Sequence, residues 1–257
     1  RKNRMKEKIK RGEPVVGAFH NLQVPTVTEL LGLVGLDFVI VDAEHTSITP
    51  ETAENLYRAA ELRDLSVITR IGENSQQVIQ KFMDAGSQGV LMPLINTRED
   101  AERVVASVKY PPIGKRGLAG TRAAAWGLGN TAEYVKMANE ETLVAIQVET
   151  LEAIKNIKEI VSVEHVDVIF FGPSDISSNL GLHGQTRHPE VLSLIEKLSK
   201  EALAAGKAVG TIARDLNDYK YWRERGFQWL CTGTSQFLVA GARAYLDPIR
   251  EWEKGRG

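Results

Sequence analysis

The chain has 257 residues, 32 of them lysine or arginine against 33 aspartate or glutamate; that balance excludes a general positive field for holding nucleic acid or an acidic membrane surface. Apolar segments spread evenly along this length fit one large domain over residues 1–257 with a sizeable core. The single cysteine, Cys231, excludes an internal disulfide and fits a reducing compartment, and no apolar run is long enough for a membrane span, so the expected location is cytoplasmic.

The basic opening RKNRMKEKIKRG leads into no apolar stretch, so it reads as a solvated first helix and not as a signal peptide or anchor. Strands then alternate with amphipathic segments. In chain order the reading is strand 15–21 (VVGAFHN), helix 26–34, strand 38–45 (FVIVDAEH), helix 51–63, strand 66–71 (SVITRI), helix 75–85, strand 89–94 (GVLMPL) and helix 98–108. An insertion at 109–139, rich in proline and glycine, predicts an irregular loop followed by an extra short helix. Next come strand 143–150 (LVAIQVET), helix 151–161, strand 166–175 (VDVIFFGPSD), a second insertion at 172–190, helix 190–205, strand 208–213 (AVGTIA), helix 215–225, strand 229–234 (WLCTGT) and helix 235–246. Thr, Ser, Pro or Asp precedes several helices at cap positions. This α/β alternation predicts a closed TIM (β/α)8 barrel, with both insertions expected at the C-terminal ends of strands, where such barrels place substrate loops.

Polar residues gather at those strand ends: Asp42, Glu44 and His45, then Arg70, then Gln147 and Glu149, then Ser174 and Asp175. A strand buried on both faces has little use for unpaired charge, so the coincidence points to a site. Glu149 and Asp175 are the candidate metal ligands, since two carboxylates, waters and a chelating 2-oxo acid complete an octahedron around Mg²⁺ or Mn²⁺. The competing reading is a pair of strand-end carboxylates that cap the following helices. Arg70 suits a substrate carboxylate or developing enolate charge, or else a rim ion pair. His45 suits proton transfer, with Asp42 or another nearby carboxylate fixing its tautomer. Gln147 fits either a hydrogen bond to substrate or metal-bound water, or simple packing. The turn Gly172-Pro173-Ser174 offers backbone amides to a carboxylate, although a plain strand exit explains it equally well. Asp84 either supports the site or makes a surface or subunit contact. His20, His165, His183 and His188 lack metal-ligand spacing and are expected to be structural or solvent-facing. Trp222, Trp229 and Trp252 are expected in core or interface. GLAG and GLGN follow no predicted strand, which argues against a dinucleotide fingerprint and a nucleotide-using oxidoreductase.

The stretches VDAEHTSITPETAENL, TRIGENSQQVIQKFMDAGSQGVLMPLINTREDAERVV, YPPIGKRG, QVETLEAIKNI, VDVIFFGPSDISSNLG and HPEV together resemble the HpcH/HpaI family of class II pyruvate aldolases, over about residues 12–247. That family includes 4-hydroxy-2-oxoheptanedioate and 2-keto-3-deoxy sugar acid aldolases. The resemblance implies a lyase that reversibly cleaves a 4-hydroxy-2-oxo acid into pyruvate and an aldehyde through a metal-bound enolate. It implies Glu149 and Asp175 as ligands of Mg²⁺ or Mn²⁺, with Co²⁺ an alternative, Arg70 as enolate stabiliser, and His45 with Asp42 as the proton-transfer pair. Gln147 would neighbour the metal, Gly172, Pro173 and Ser174 would receive the pyruvate carboxylate, and Phe19 would line the pocket wall. It further implies a homo-oligomer in which the C-terminal helix is exchanged within dimers, three of which form a hexamer. GLAGTRAAAWG (117–127) and GTIARD (210–215) depart from the family pattern; Thr121 and especially Arg122 add hydrogen-bonding capacity for the distal end of a substrate. Arg122 also suits a substrate with more carboxylates, so the alternative is condensation of an acetyl thioester with oxaloacetate, as a relative does in siderophore biosynthesis. A third reading is a non-catalytic oligomeric binding barrel.

Overall fold

The computed structural model describes residues 1–256. Its elements are α1 (Arg4–Lys10), β1 (Val15–His20), α2 (Pro25–Leu33), β2 (Phe38–Asp42), α3 (Pro50–Glu61), β3 (Ser66–Arg70), α4 (Gln76–Ala85), β4 (Gly89–Met92), α5 (Arg98–Val108), α6 (Thr131–Glu141), β5 (Leu143–Val148), α7 (Leu151–Lys155), α8 (Ile157–Val161), β6 (Val168–Phe171), α9 (Pro173–Asn179), α10 (Pro189–Ala204), β7 (Ala208–Ile212), α11 (Leu216–Arg223), β8 (Trp229–Gly233) and α12 (Thr234–Lys254). The eight strands close into a parallel barrel in chain order, β8 pairing back onto β1. Helices cover its outside, so the strands are buried on both faces and read as continuous apolar runs.

The barrel floor is packed by rings. Phe38 and Trp229 open β2 and β8 and stack with centroids 4.7 Å apart and planes 7° from parallel. Glycines make the room: a Cβ on Gly17 would fall 2.5 Å from the Phe38 carbonyl oxygen, and one on Gly210 2.6 Å from that of Trp229. Helix α1 closes this end. Asn3 caps it by accepting from the Lys6 amide, and Met5 is wholly buried with its Sδ 3.0 Å from Trp229 Nε1. The opening segment is therefore a plug and not the solvated helix that its charge suggested. Its lysines reach partners around the rim of the plug, Lys6 at Asp167 (2.9 Å) and Lys8 at Asp37 (2.5 Å), which leaves Met5 free to point inward.

Strands end earlier than their sequence pattern. Strand β2 stops at Asp42, so Glu44 and His45 lie in the turn beyond it, and Pro173–Asn179 is helical, because Pro173 at the first helical position preorganises α9 behind Gly172. The expected helix 151–161 is broken at Asn156, whose side-chain amide donates to the Asn96 carbonyl. The insertion at 109–139 follows helix α5 and precedes strand β5, which places it on the N-terminal face and not, as expected, at a C-terminal strand end. Helix α12 outruns its predicted 235–246. Of its residues only Thr234 is buried, while Phe237, Leu238, Val239, Tyr245, Leu246, Ile249 and Trp252 (59% exposed) form an uncovered apolar face. No helix among the described residues is long and apolar enough to cross a membrane.

If α1 is an integral plug, Met5→Ala leaves a void under Trp229 and should destabilise the fold by about 2–5 kcal/mol. Urea denaturation checks this, and an unchanged midpoint would mean that the helix is dispensable.

Candidate active site

Parallel pairing aligns the candidate side chains. In the β2–β3 register Asp42 stands opposite Arg70, and the Ala43 amide donates to the Arg70 carbonyl, 2.9 Å. The two side chains form a forked pair: Arg70 Nε donates to Asp42 Oδ1 (2.9 Å) and Nη2 to Oδ2 (2.7 Å). The guanidinium carbon lies 4.6 Å from the centroid of Phe19, which meets Phe170 edge-on across the barrel. Burial alone would raise the Asp42 carboxyl, but the hydrogen bonds and charge of Arg70, with the backbone amides of His45 and Glu44, outweigh it and hold the group below its ordinary range.

Across the pocket, β5 and β6 pair Val148 with Phe171, which carries Glu149 against Gly172. A Cβ at Gly172 would lie 3.1 Å from Glu149 Oε2, so a larger residue there would crowd the carboxylate. Glu149 is almost fully buried; its Oε1 accepts from the Leu94 amide at 3.0 Å and its Oε2 from the Gln147 side chain. Desolvation drives its carboxyl up to about 7, against those two hydrogen bonds, and the charges of Asp175 and Glu44 push the same way. Asp175 is exposed in the first turn of α9, and Asn179 braces the corner, donating to the carbonyls of both Glu149 and Asp175 at 3.0 Å.

The donor set fits a hard divalent cation. It consists of oxygens, Glu149 lacks a cationic partner, and the buried Gln147 Oε1 has no hydrogen-bond partner. Among the described residues no three His, Cys, Asp or Glu side chains come together as a metal centre, so Glu149 and Asp175 would supply part of a coordination shell and not the whole.

His45 stands at the mouth with its side chain 67% exposed. Its ring does not meet Asp42, as the expected pair required: Asp42 Oδ1 accepts only the His45 backbone amide (3.3 Å), and the ring Nε2 lies 3.6 Å from Glu44 Oε2. Arg122 is not brought to this pocket within the chain. Its guanidinium clasps Glu61 (2.6 and 3.1 Å) and the Ala85 carbonyl (2.9 Å), at the C-terminal ends of α3 and α4 and so at the opposite face. Asp84 is likewise held there by Arg116 at 2.6 Å. Of the other histidines, His20 is buried between Thr28 and Thr234 and lowered to about 4 by desolvation, while His188 caps α10. Trp222 and Trp229 are core residues. Leu94 and Asn179 had no signal in the sequence; Leu94 aims its amide from a left-handed conformation (φ 55°) that nothing in the string MPLIN announces.

The family model described as HpcH/HpaI aldolase/citrate lyase matches residues 16–242. A hydroxypyruvate/pyruvate aldolase of Sagittula stellata is 36% identical over 252 residues, 98% of each chain. A 4-hydroxy-2-oxo-heptane-1,7-dioate aldolase of Shigella sonnei is 32% identical over 244 residues, 95% of this chain and 93% of the relative. Among solved structures, the citrate synthase SbnG superposes with a TM-score of 0.88 at 30% identity, covering 98% of each chain.

Folding raises the Glu149 carboxyl from 4.5 to about 7, so its contribution to stability is fully present below pH 4.5 and is lost as pH rises through about 7. In chelator-treated protein, Glu149→Gln should therefore gain stability relative to the parent across that window, read as denaturation midpoints at each pH. A difference that does not change with pH would contradict the electrostatic picture.

Proposed function

The chain belongs to the HpcH/HpaI aldolase/citrate lyase family, and from that premise we propose that it is a divalent-metal-dependent aldolase that cleaves a 4-hydroxy-2-oxo acid reversibly into pyruvate and an aldehyde. The observation that carries this reading is a buried carboxylate short of positive charge, Glu149 with Asp175 nearby, in a pocket that also holds a rigid guanidinium, Arg70. A divalent cation held by Glu149 and Asp175 would supply Lewis-acid polarisation of the 2-oxo group.

The chain's own residues do the rest. Asp42 occupies Nε and Nη2 of Arg70 and leaves Nη1 uncommitted among the described residues, so the arginine offers a fixed positive charge to the oxygen that becomes anionic when the C3–C4 bond breaks. Phe19 supports the guanidinium from beneath. The Ser174 amide, in the first turn of α9, offers a hydrogen bond to the carboxylate of the 2-oxo acid, and Gln147 Oε1 offers an acceptor to a hydroxyl or water beside it. His45, at the open mouth, takes the C4 hydroxyl proton; the aldehyde leaves and the enolate is protonated at C3 to give pyruvate. Condensation reverses each step. The uncovered face of α12 suits exchange with a second copy, giving the dimer implied by the resemblance. The likeness to SbnG supports a second reading, condensation of an acetyl thioester with oxaloacetate.

Methyl-proton exchange of pyruvate in D2O, followed by NMR with and without Mg²⁺ or Mn²⁺, tests the proposal, and hydroxypyruvate is tried as a second donor. Exchange should require the metal, and Arg70→Ala should lower kcat about 10²–10³-fold. No exchange from either donor, with citrate formed from oxaloacetate and an acetyl thioester, would replace the aldolase by the second reading.

A further inference from the structure

Between Arg70 and His45 lies a carboxylate to which the mechanism above gives no task. Glu44 is largely buried, its stem confined against Gly72, where a Cβ would come within 3.3 Å of Glu44 Cγ. Its Oε2 is buried without a hydrogen-bond partner. Arg70 Nε is 3.2 Å away, but the single hydrogen on that nitrogen goes to Asp42 Oδ1, so Glu44 receives charge from the arginine and no hydrogen bond. Leaving a buried carboxylate oxygen unpaired is costly, and the next donor in reach is the His45 ring, Nε2 at 3.6 Å.

Asp42 meets His45 through the backbone amide and not through the ring. Its Oδ1 already accepts from Arg70 Nε and from the amides of Glu44 and His45 (both 3.3 Å), and its Oδ2 from Arg70 Nη2. Its backbone carbonyl accepts from the Thr46 hydroxyl. Asp42 thus fixes the backbone of the turn while the imidazole projects from it, free to rotate the short distance to Glu44.

We propose that Glu44 is the positioning residue for His45: its Oε2 accepts the Nε2 hydrogen, which selects the Nε2–H tautomer and leaves the Nδ1 lone pair as the base at the pocket mouth. Proton uptake at Nδ1 then creates an imidazolium beside a carboxylate that already faces it, the reason such a partner aids a general base. The kinetic consequence rests on the aldolase reading; the tautomer is a property of the resting protein and does not.

Two-dimensional ¹H–¹⁵N NMR of the histidine rings at about pH 8, above the ordinary imidazole range, with His45 assigned by its loss in His45→Gln, reads the tautomer directly. His45 should be Nε2–H in the parent and become a mixture in Glu44→Ala. Glu44→Gln, which keeps a carbonyl oxygen in place, should restore it. In turnover, Glu44→Ala should lower kcat by about 10-fold or more with KM changed less than about 3-fold, and Glu44→Gln should recover most of the loss. An Nδ1–H tautomer in the parent, or a His45 spectrum indifferent to Glu44→Ala, overturns the proposal whatever the variants do in turnover. A Glu44-dependent tautomer in a protein that fails the pyruvate exchange assay would keep the positioning role and remove the aldolase reading instead.

Discussion

The forked ion pair between Asp42 and Arg70 organises the pocket. It joins adjacent strands at the residues where their pairing ends, and it is mostly shielded from water, so removing either partner would strand a buried charge at a cost of about 3–5 kcal/mol. Its consequences spread outward. Arg70 is locked above Phe19 with one nitrogen to spare. Asp42 meets His45 at the backbone amide, and Glu44, which receives no hydrogen bond from Arg70, faces the histidine ring.

Charge bookkeeping around this pair explains the opposite wall. Asp42, Glu44, Glu149 and Asp175 gather near one strand-end pocket, and Arg70 is the guanidinium among them. Asp42 claims most of what that arginine offers, so Glu149 is left with neutral donors, the Leu94 amide and the Gln147 side chain, and its carboxyl rises. Such an excess of carboxylate in low dielectric is unfavourable for the protein alone and favourable for a cation that binds there. Packing at the floor, with Met5 under the stacked Phe38 and Trp229, keeps the strands in the register that brings these groups together.

Much of this was legible in the sequence, for a physical reason. A strand buried on both faces must be apolar, so eight apolar runs declared the barrel, and the polar residues that interrupt them, Asp42, Arg70, Gln147 and Glu149, marked where the strands open to a pocket. The same polarity blurred the boundaries, because EH after β2 and PSD after β6 continue the pattern although the backbone has turned. Met5 in a run of lysines gave no local hint of its burial, which depends on Trp229 more than 200 residues away. Arg122 has chemistry that suits the pocket, yet its insertion lies between a helix and the next strand, an order that places it on the far face and beside Glu61. For His45 the sequence left Asp42 and any other nearby carboxylate open, and only the path of the turn after β2 sets the ring nearer Glu44, 3.6 Å from its Oε2.

The central claim is that this pocket is built for a divalent cation, and calorimetric titration of Mn²⁺ into chelator-treated protein tests it most directly. One site per chain should appear, tightened by added pyruvate and abolished by Glu149→Gln. Binding that is absent, or that survives Glu149→Gln unchanged, would contradict the account.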